Sequence, residues 1–344
     1  MLSHSNLYVT ALAAIAERGW EQDVVTLHVA PMFHLADAAL INTVILRGAT
    51  HAVVPSFTPQ QVLESIERDR VTDMLLVPTM LQMLVNYPDF APYDTSSLRK
   101  VVYGASPTGE SLISRAMKAL PQTEFSQGYG MTETSPTITV LRSFYHLPEN
   151  RGPNMLRAAG QPALTVQVRI VDEDGNEAPR GTVGEITVRG PGVMLGYWNR
   201  PQETADAIRN GWMHTGDAGH MDESGMLYIV DRIKDMIVSG GENVYSAEVE
   251  NALMSHPTIA MCAVIGVPDE RWGERVHAVV VMQPGQTADA DELIAHCRTR
   301  IAGYKCPRSL EFRTELPISG AGKLPPPLRA EYWKDGDRRV AGAA

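Results

Sequence analysis

Between residues 7 and 126 the chain alternates short apolar runs with amphipathic segments, and this alternation restricts the fold more than any other feature. Apolar positions at helical spacing predict helices over 7–18, 37–47, 59–70, 79–85 and Glu110–Ala119. Gly48 stands where a helix C-cap takes the left-handed conformation. Runs at 24–29, 50–54, 74–77, 100–103 and 123–126 predict strands between the helices. Such repeats build parallel sheets, which gather ligands at the carboxyl ends of their strands. Polar segments stand at three of those ends, 31–34, 104–107 and 127–134.

From about residue 161 the rhythm shortens. Runs at 166–171 and 184–188, split by the turn Asp174-Gly175-Asn176, predict an antiparallel sheet or small barrel. Residues 211–250 then crowd together an acidic turn (His214-Thr215-Gly216-Asp217), a strand at 226–230, the charged run DRIKD and a double glycine, Gly240-Gly241. Beyond them the pattern is α+β. Ser246 is placed to cap a helix ending at Met254, with Glu248 in its first turn. Strands follow at 259–267, 275–282 and 309–312, with an amphipathic helix at 289–301 carrying Leu293, Cys297 and Ile301 on one face. The expected fold class is α/β: a parallel-sheet domain (1–160), a β-barrel-like subdomain (161–233) and a small α+β domain (234–344). The charged run between two apolar strands reads as a solvated turn or as a hinge.

Composition narrows the function. Lys plus Arg number 30 against 40 Asp plus Glu, a net charge of −10, which disfavours binding to a phosphate backbone. Cys262, Cys297 and Cys306 lack CxxC spacing, so neither zinc nor a disulfide framework is inferred, and a reducing cytoplasm is expected. No apolar run is long enough to span a membrane. A homo-oligomer is compatible with this composition.

Four local features carry chemistry, and each also has an ordinary structural use. In Gly128-Tyr129-Gly130-Met131-Thr132-Glu133 the glycines let backbone approach a ligand, Tyr129 can stack on a base, and Glu133 is a hard oxygen donor suited to Mg²⁺; the same letters also cap helices. Asp217 can accept both hydroxyls of a ribose, or close its own turn. Lys323, in the loop Ser319-Gly320-Ala321-Gly322-Lys323, is a mobile point charge able to offset charge developing on a phosphoryl group, or a solvated loop lysine. His34 can gate a pocket or sit satisfied in a core.

Taken in order, PMFHLAD, YGASP, GYGMTETSP, GEITVRGPGVMLGYW, GWMHTGD, DRIKDMIVSGGENVYSAEVE and LPISGAGK resemble the motifs of the adenylate-forming superfamily of acyl-CoA synthetases, adenylation domains and luciferases. The resemblance covers essentially the whole chain, and the wording is most similar to fatty-acyl-CoA ligases. It implies an enzyme that uses ATP and Mg²⁺ to convert a fatty acid to acyl-AMP, then transfers the acyl group to CoA after the C-terminal domain swings. By the same resemblance Gly104, Ala105, Ser106, Pro107 and Tyr129 line the adenine, with Gly128, Gly130, Met131 and Ile229 in the same nucleotide-binding wall. Asp217 and Arg232 hold the ribose, Thr132 touches the α-phosphate, Glu133 binds Mg²⁺ and His34 sits beside the acyl carboxylate. Lys323 serves adenylation, Lys234 is the hinge, and Gly240 and Gly241 let the pantetheine of CoA pass close to backbone.

Three departures accompany the resemblance. The chain opens at a segment that in the family follows a Ser/Thr/Gly-rich phosphate loop, so an incomplete large domain without that loop is expected. Asp37 stands where glycine is frequent, and Pro325-Pro326-Pro327 follow Lys323 and forbid a helix there. The alternatives to a ligase acting on CoA are a non-catalytic remnant or gene-model fragment that binds nucleotide or CoA, and transfer to a carrier-protein thiol.

Overall fold

The computed structural model describes residues 1–344 other than 20, 22, 107, 234, 317–327, 329–330 and 334–344. They form two compact units, Met1–Ile229 and Val230–Ala344.

The first unit begins with the expected alternation: α1 (His4–Arg18), β1 (Val25–His28), α2 (Leu35–Arg47), β2 (Thr50–Val53), α3 (Pro59–Asp69), β3 (Asp73–Leu76), α4 (Pro78–Val85), β4 (Lys100–Gly104), α5 (Glu110–Ala119) and β5 (Glu124–Tyr129). The strands lie in the order β2-β1-β3-β4-β5, all parallel, and β6 (Thr139–Leu141) and β7 (Gln161–Pro162) add antiparallel at the β5 edge. Local chemistry sets the helix ends. Ser3 caps α1 in a capping box with Asn6, Thr58 caps α3 ahead of Pro59, and Gly48 closes α2 at φ 66°. Leu63, Ile66, Leu81 and Ile113 from α3, α4 and α5 bury against Leu76, Val101 and Phe125 on one face of the sheet. Each fully buried side chain of this kind contributes roughly 1.5–3 kcal/mol.

The opposite face is more polar. His28 is buried and pairs through Nδ1 with Asp37 Oδ2 at 2.8 Å, while its Nε2 meets His51 Nδ1 at 2.8 Å. The unusual Asp37 thus anchors the first turn of α2 to β1. Back on the apolar face, where Tyr103 follows Val101 by two residues, Tyr103 and His146 form a second buried polar pair, 2.9 Å apart, with His146 Nδ1 also 3.1 Å from the carbonyl of Arg142. Burial pushes His146 down to about 4 and Tyr103 upward.

A second sheet follows: β8 (Gln167–Val171), β9 (Gly184–Arg189), β10 (Ile208–Arg209), β11 (Trp212–Met221) and β12 (Leu227–Arg232), ordered β10-β11-β9-β8 with β12 paired to β11. The short helix α6 (Pro201–Ala207) precedes β10. Here the structure corrects the sequence reading. His214-Thr215-Gly216-Asp217 is not a turn but lies inside β11, with the ladder irregular between His214 and Ala218. Likewise β5 runs on to Tyr129 rather than stopping at 126, because Gln127, Gly128 and Tyr129 pair with β6.

The second unit holds β13 (Ile237–Ser239), β14 (Glu242–Val244), α7 (Ser246–Met254), β15 (Ile259–Asp269), β16 (Gly273–Met282), α8 (Ala290–Arg298) and β17 (Ser309–Arg313). The order is β14-β13-β16-β15, with β17 parallel on β16. Val249, Leu253 and Leu293 of the helices pack on Ile237, Val276 and Val280. Cys262, Cys297 and Cys306 are free and buried. Ser246 is not the cap of α7: Tyr245 takes that position, and the Ser246 N–H donates instead to Asp231 Oδ2 at 2.6 Å. Glu250, on α7, accepts the Val264 N–H at 2.9 Å, and burial, reinforced by the Asp231 charge, pushes its carboxyl up to about 7. Among the described residues no helix is long and apolar enough to cross a membrane.

Candidate functional site

The carboxyl ends of β4 and β5 converge on glycine. A Cβ on Gly104 would stand 2.1 Å from the carbonyl oxygen of Gly128, and one on Gly130 would stand 1.8 Å from that of Pro136. No side chain fits at either position, so the two strand ends present bare backbone. Ala105, next in line, holds φ 66°, a conformation costly for a residue with a Cβ. Ser106 continues this loop half-buried, and Pro107 lies outside the described residues.

Beyond β5 the chain passes Met131 and turns once through Thr132–Thr134 as a 3-10 helix. Thr132 is exposed and Glu133 half-buried. Two phenols tie this segment to its surroundings. Tyr129 Oη donates to Asp217 Oδ2 at 2.7 Å, and Tyr197 Oη donates to Glu133 Oε1 at 2.9 Å. Burial, followed by the Glu133 carboxylate, pushes Tyr197 up to about 12, so it stays a donor at physiological pH. The Glu133 backbone is fixed as well, its carbonyl accepting Met194 N–H at 2.8 Å.

Asp217 owes its position to the irregular ladder. β11 advances from His214 to Ala218 while its partner β9 advances only from Thr187 to Glu185, which forces Gly216 and Asp217 out of the pairing. Gly216 takes φ 72° there. Glu185 holds the bulge at its base: His214 Nδ1 lies 2.6 Å from Oε2, and the Gly216 N–H donates to Oε1 at 3.2 Å. Thr215 Oγ1 accepts the Asp217 N–H at 3.1 Å and donates to the Ile186 carbonyl at 2.8 Å.

The structure therefore brings together Gly104, Gly128, Tyr129, Gly130, Glu133 and Asp217, with Ile229 packed in the adjoining core of the second sheet. Tyr197 and Glu185 are functional candidates that sequence reasoning passed over, although both sit in the quoted segment GEITVRGPGVMLGYW. His34 follows the carboxyl end of β1 and is exposed at the N-cap of α2, with its ring 4.8 Å from that of Phe33. Arg232, Gly240 and Gly241 belong to the second unit. The two glycines form the β13–β14 hairpin turn with φ 64° and 84°, the left-handed pair that a two-residue type I′ turn requires. A Cβ on Gly240 would come within 2.7 Å of the Trp272 ring. Lys234 and Lys323 lie outside the described residues.

The donor set suits a hydroxylated, phosphorylated ligand. Asp217 offers carboxylate oxygens to hydroxyls, and the glycine-lined strand ends admit phosphate close to backbone. Among the described residues no group of three or more His, Cys, Asp or Glu side chains is arranged for a metal ion. A lone carboxylate such as Glu133 is nonetheless how Mg²⁺ is commonly held, with water and ligand phosphates completing its shell.

Comparison with known proteins adds the following. The AMP-binding enzyme family model matches residues 1–198, and that of the AMP-binding enzyme C-terminal domain matches 248–323. A feruloyl-CoA synthase of an Amycolatopsis species is 44% identical over 94% of this chain, which spans 65% of that relative's length. The fatty acid–[acyl-carrier-protein] ligase ScoC of Streptomyces coeruleorubidus is 38% identical over 99% of this chain and 66% of its own. In fold the chain is similar to the o-succinylbenzoate CoA synthetase MenE of Bacillus subtilis in complex with the acyl-adenylate OSB-AMP. The TM-score is 0.85 at 33% identity, covering 98% of this chain and 66% of that one.

Proposed function

Since the chain belongs to the AMP-binding enzyme family, within the adenylate-forming superfamily, we propose that it activates a carboxylic acid with ATP and passes the acyl group to the thiol of CoA. The observation that carries this reading is the pairing of Tyr129 with Asp217 and of Tyr197 with Glu133 around glycine-lined strand ends. The names of the feruloyl-CoA synthase and the o-succinylbenzoate CoA synthetase support an acid–CoA ligase, and the relatives differ in the acid, so the fatty acid expected from the sequence is one member of an open class.

In the first step an acid carboxylate oxygen attacks the α-phosphorus, the bond to the bridging oxygen breaks, and pyrophosphate leaves. Tyr129, beside Gly104 and Ala105, offers a face for the adenine, and Asp217 takes the ribose hydroxyls; Arg232 is assigned to the ribose from its motif alone. Thr132 offers its hydroxyl to the α-phosphate. Mg²⁺ held at Glu133 would offset negative charge on the phosphates, and Lys323 is assigned the same task from its motif. In the second step the CoA sulfur attacks the acyl carbon, AMP leaves, and the thiol proton passes to solvent. Lys234 is assigned the pivot between the steps, and the Gly240-Gly241 turn the edge along which pantetheine passes.

Carboxylate-dependent pyrophosphate release from ATP, then thioester formation with CoA, tests the reading. Lys323→Ala is expected to cut pyrophosphate release by two orders of magnitude or more. Binding of a non-hydrolysable acyl-adenylate analogue with no turnover of any acid would sink catalysis and leave a binding protein. A carrier-protein acceptor is favoured by the likeness to ScoC, and a chase of preformed acyl-adenylate with CoA or with a phosphopantetheinylated carrier distinguishes the two.

A further inference from the structure

The chain carries a net charge of −10, yet one face of its second sheet is basic. Ile170, Ile186, Val188 and Met213 turn inward from β8, β9 and β11 and are buried in a common core. Strand alternation puts their neighbours on the opposite face. There Arg209 of β10 pairs with Trp212 of β11, and Arg189 of β9 pairs with Gln167 of β8. The pairing of Met213 with Val188 brings Trp212 level with Arg189, so the four residues form one row. His214, Thr187 and Arg169 form the next row on the same face.

Trp212 is the centre of this face. The guanidinium carbons of Arg169 and Arg189 lie 4.1 and 4.7 Å from the centroid of its ring. Their hydrogen-bond partners are neutral: Arg169 Nε donates to Thr187 Oγ1 at 3.4 Å, and Arg189 Nε donates to Gln167 Oε1 at 2.9 Å. Neither guanidinium forms an ion pair among the described residues. Glu185, one row further on, is already engaged by His214 and the Gly216 N–H, with Arg209 3.6 Å away. Arg189 and Arg209 are exposed, and Arg169 and Trp212 are half-buried. The face thus offers cations held against an aromatic ring, with forks of donors suited to carboxylates.

We propose that this face docks a protein partner through an acidic helix of that partner. Spacing and charge together select the occupant. Neighbouring strands lie about 4.8 Å apart, so Arg209 and Arg189, two strands apart, stand about 10 Å from each other at the backbone. Arg169 lies one strand beyond and one row over. Side chains at i, i+4 and i+7 of a helix share one face, and the outer two are about 10 Å apart. Trp212 supplies an aromatic anchor of the kind protein interfaces use, not the broad apolar surface that insertion into a bilayer needs. An acidic helix also confines its charge to the contact. A nucleic acid or an anionic bilayer would extend negative charge over the acidic remainder of the chain. Docking at this face is independent of the acid-activating chemistry.

The test is fluorescence anisotropy of a labelled helical peptide titrated with the 344-residue chain. The peptide carries glutamate at i, i+4 and i+7, and its control carries glutamine at the same places. The glutamate peptide is expected to bind about tenfold tighter or more at low ionic strength, and to lose most of that advantage at about 0.15 M salt. Arg169→Gln and Arg189→Gln are each expected to weaken it about threefold or more, whereas Arg115→Gln on α5 leaves it unchanged. Arg169→Glu combined with Arg189→Glu is expected to reject the glutamate peptide and bind a lysine version instead, which a merely unfolded sheet does not do. No binding of the glutamate peptide, equal binding of the glutamine control, or affinity that survives the double reversal overturns the proposal. Tighter binding of polyuridine RNA or of phosphatidylglycerol vesicles than of the peptide overturns it as well.

Discussion

The phenol of Tyr197 donates to Glu133 Oε1 at 2.9 Å across 64 residues of sequence, so the carboxylate assigned to Mg²⁺ is aimed by a residue from another segment. Hydrogen bonds to charged groups contribute about 1.5–3 kcal/mol. Tyr197→Phe is therefore expected to lower kcat/KM for adenylation by about tenfold or more and to raise the Mg²⁺ concentration at half-maximal rate. Glu133→Gln is expected to lose about a hundredfold or more. Pyrophosphate release titrated with Mg²⁺ reads both, and a Tyr197→Phe enzyme with unchanged Mg²⁺ dependence would remove Tyr197 from the site.

Asp217 is expected to act on ATP alone. Asp217→Asn keeps the shape of the bulge while weakening acceptance of ribose hydroxyls, and should raise KM for ATP by about tenfold or more with little change in KM for the acid. Tyr129→Phe, which removes the 2.7 Å bond to Asp217, should do the same to a smaller degree. Equal effects on both substrates would mean that Asp217 supports the fold rather than the nucleotide.

Acid weakens the first unit through His146. Unfolded, an imidazole takes up its proton near pH 6.5; folded, His146 does so only at about 4. The folded state thus binds fewer protons in between. Stability is full above about pH 6.5 and falls as pH drops toward 4, by about 3 kcal/mol in all. Urea unfolding across that range should show the slope, and His146→Gln should flatten it. A variant with the wild-type pH dependence would assign the slope to other groups.

Glu250 gives the second unit the opposite dependence. Its carboxyl titrates at about 7 folded against 4.5 ordinarily, so the unfolded chain ionises first and stability falls as pH rises from 4.5 to 7, by about 3 kcal/mol. Glu250→Gln should remove that fall and leave the second unit more stable than wild type at pH 8. Hydrogen exchange of the α7 amides at pH 5 and pH 8 measures it.

The alternation of residues 7–126 was legible because its apolar periods are clean and its ends are capped by local chemistry, as at Ser3, Thr58 and Gly48. The passage at 214–217 was misread because Gly-Asp is a turn signature. Only pairing with β9 reveals that the strand continues through it. Ser246 failed for a related reason: its own hydroxyl was a plausible cap, and nothing local announced that Asp231, fifteen residues earlier, would take its N–H. Tyr197 carries no local signature at all, and acquires meaning only from the carboxylate of Glu133 that the fold sets beside it.

The irregularity in β11 has a consequence for how the site can be changed. Between its flanking pairs β11 spends four residue steps where β9 spends two, an excess that is an even number. Side chains in a strand alternate faces with a period of two, so Met213 before the bulge and Met221 after it still point into the same core. Excising Gly216 and Asp217 together would leave that inside–outside order intact, whereas removing either one alone would turn the rest of the strand over. The acid that marks the site is in this sense detachable from the sheet that displays it.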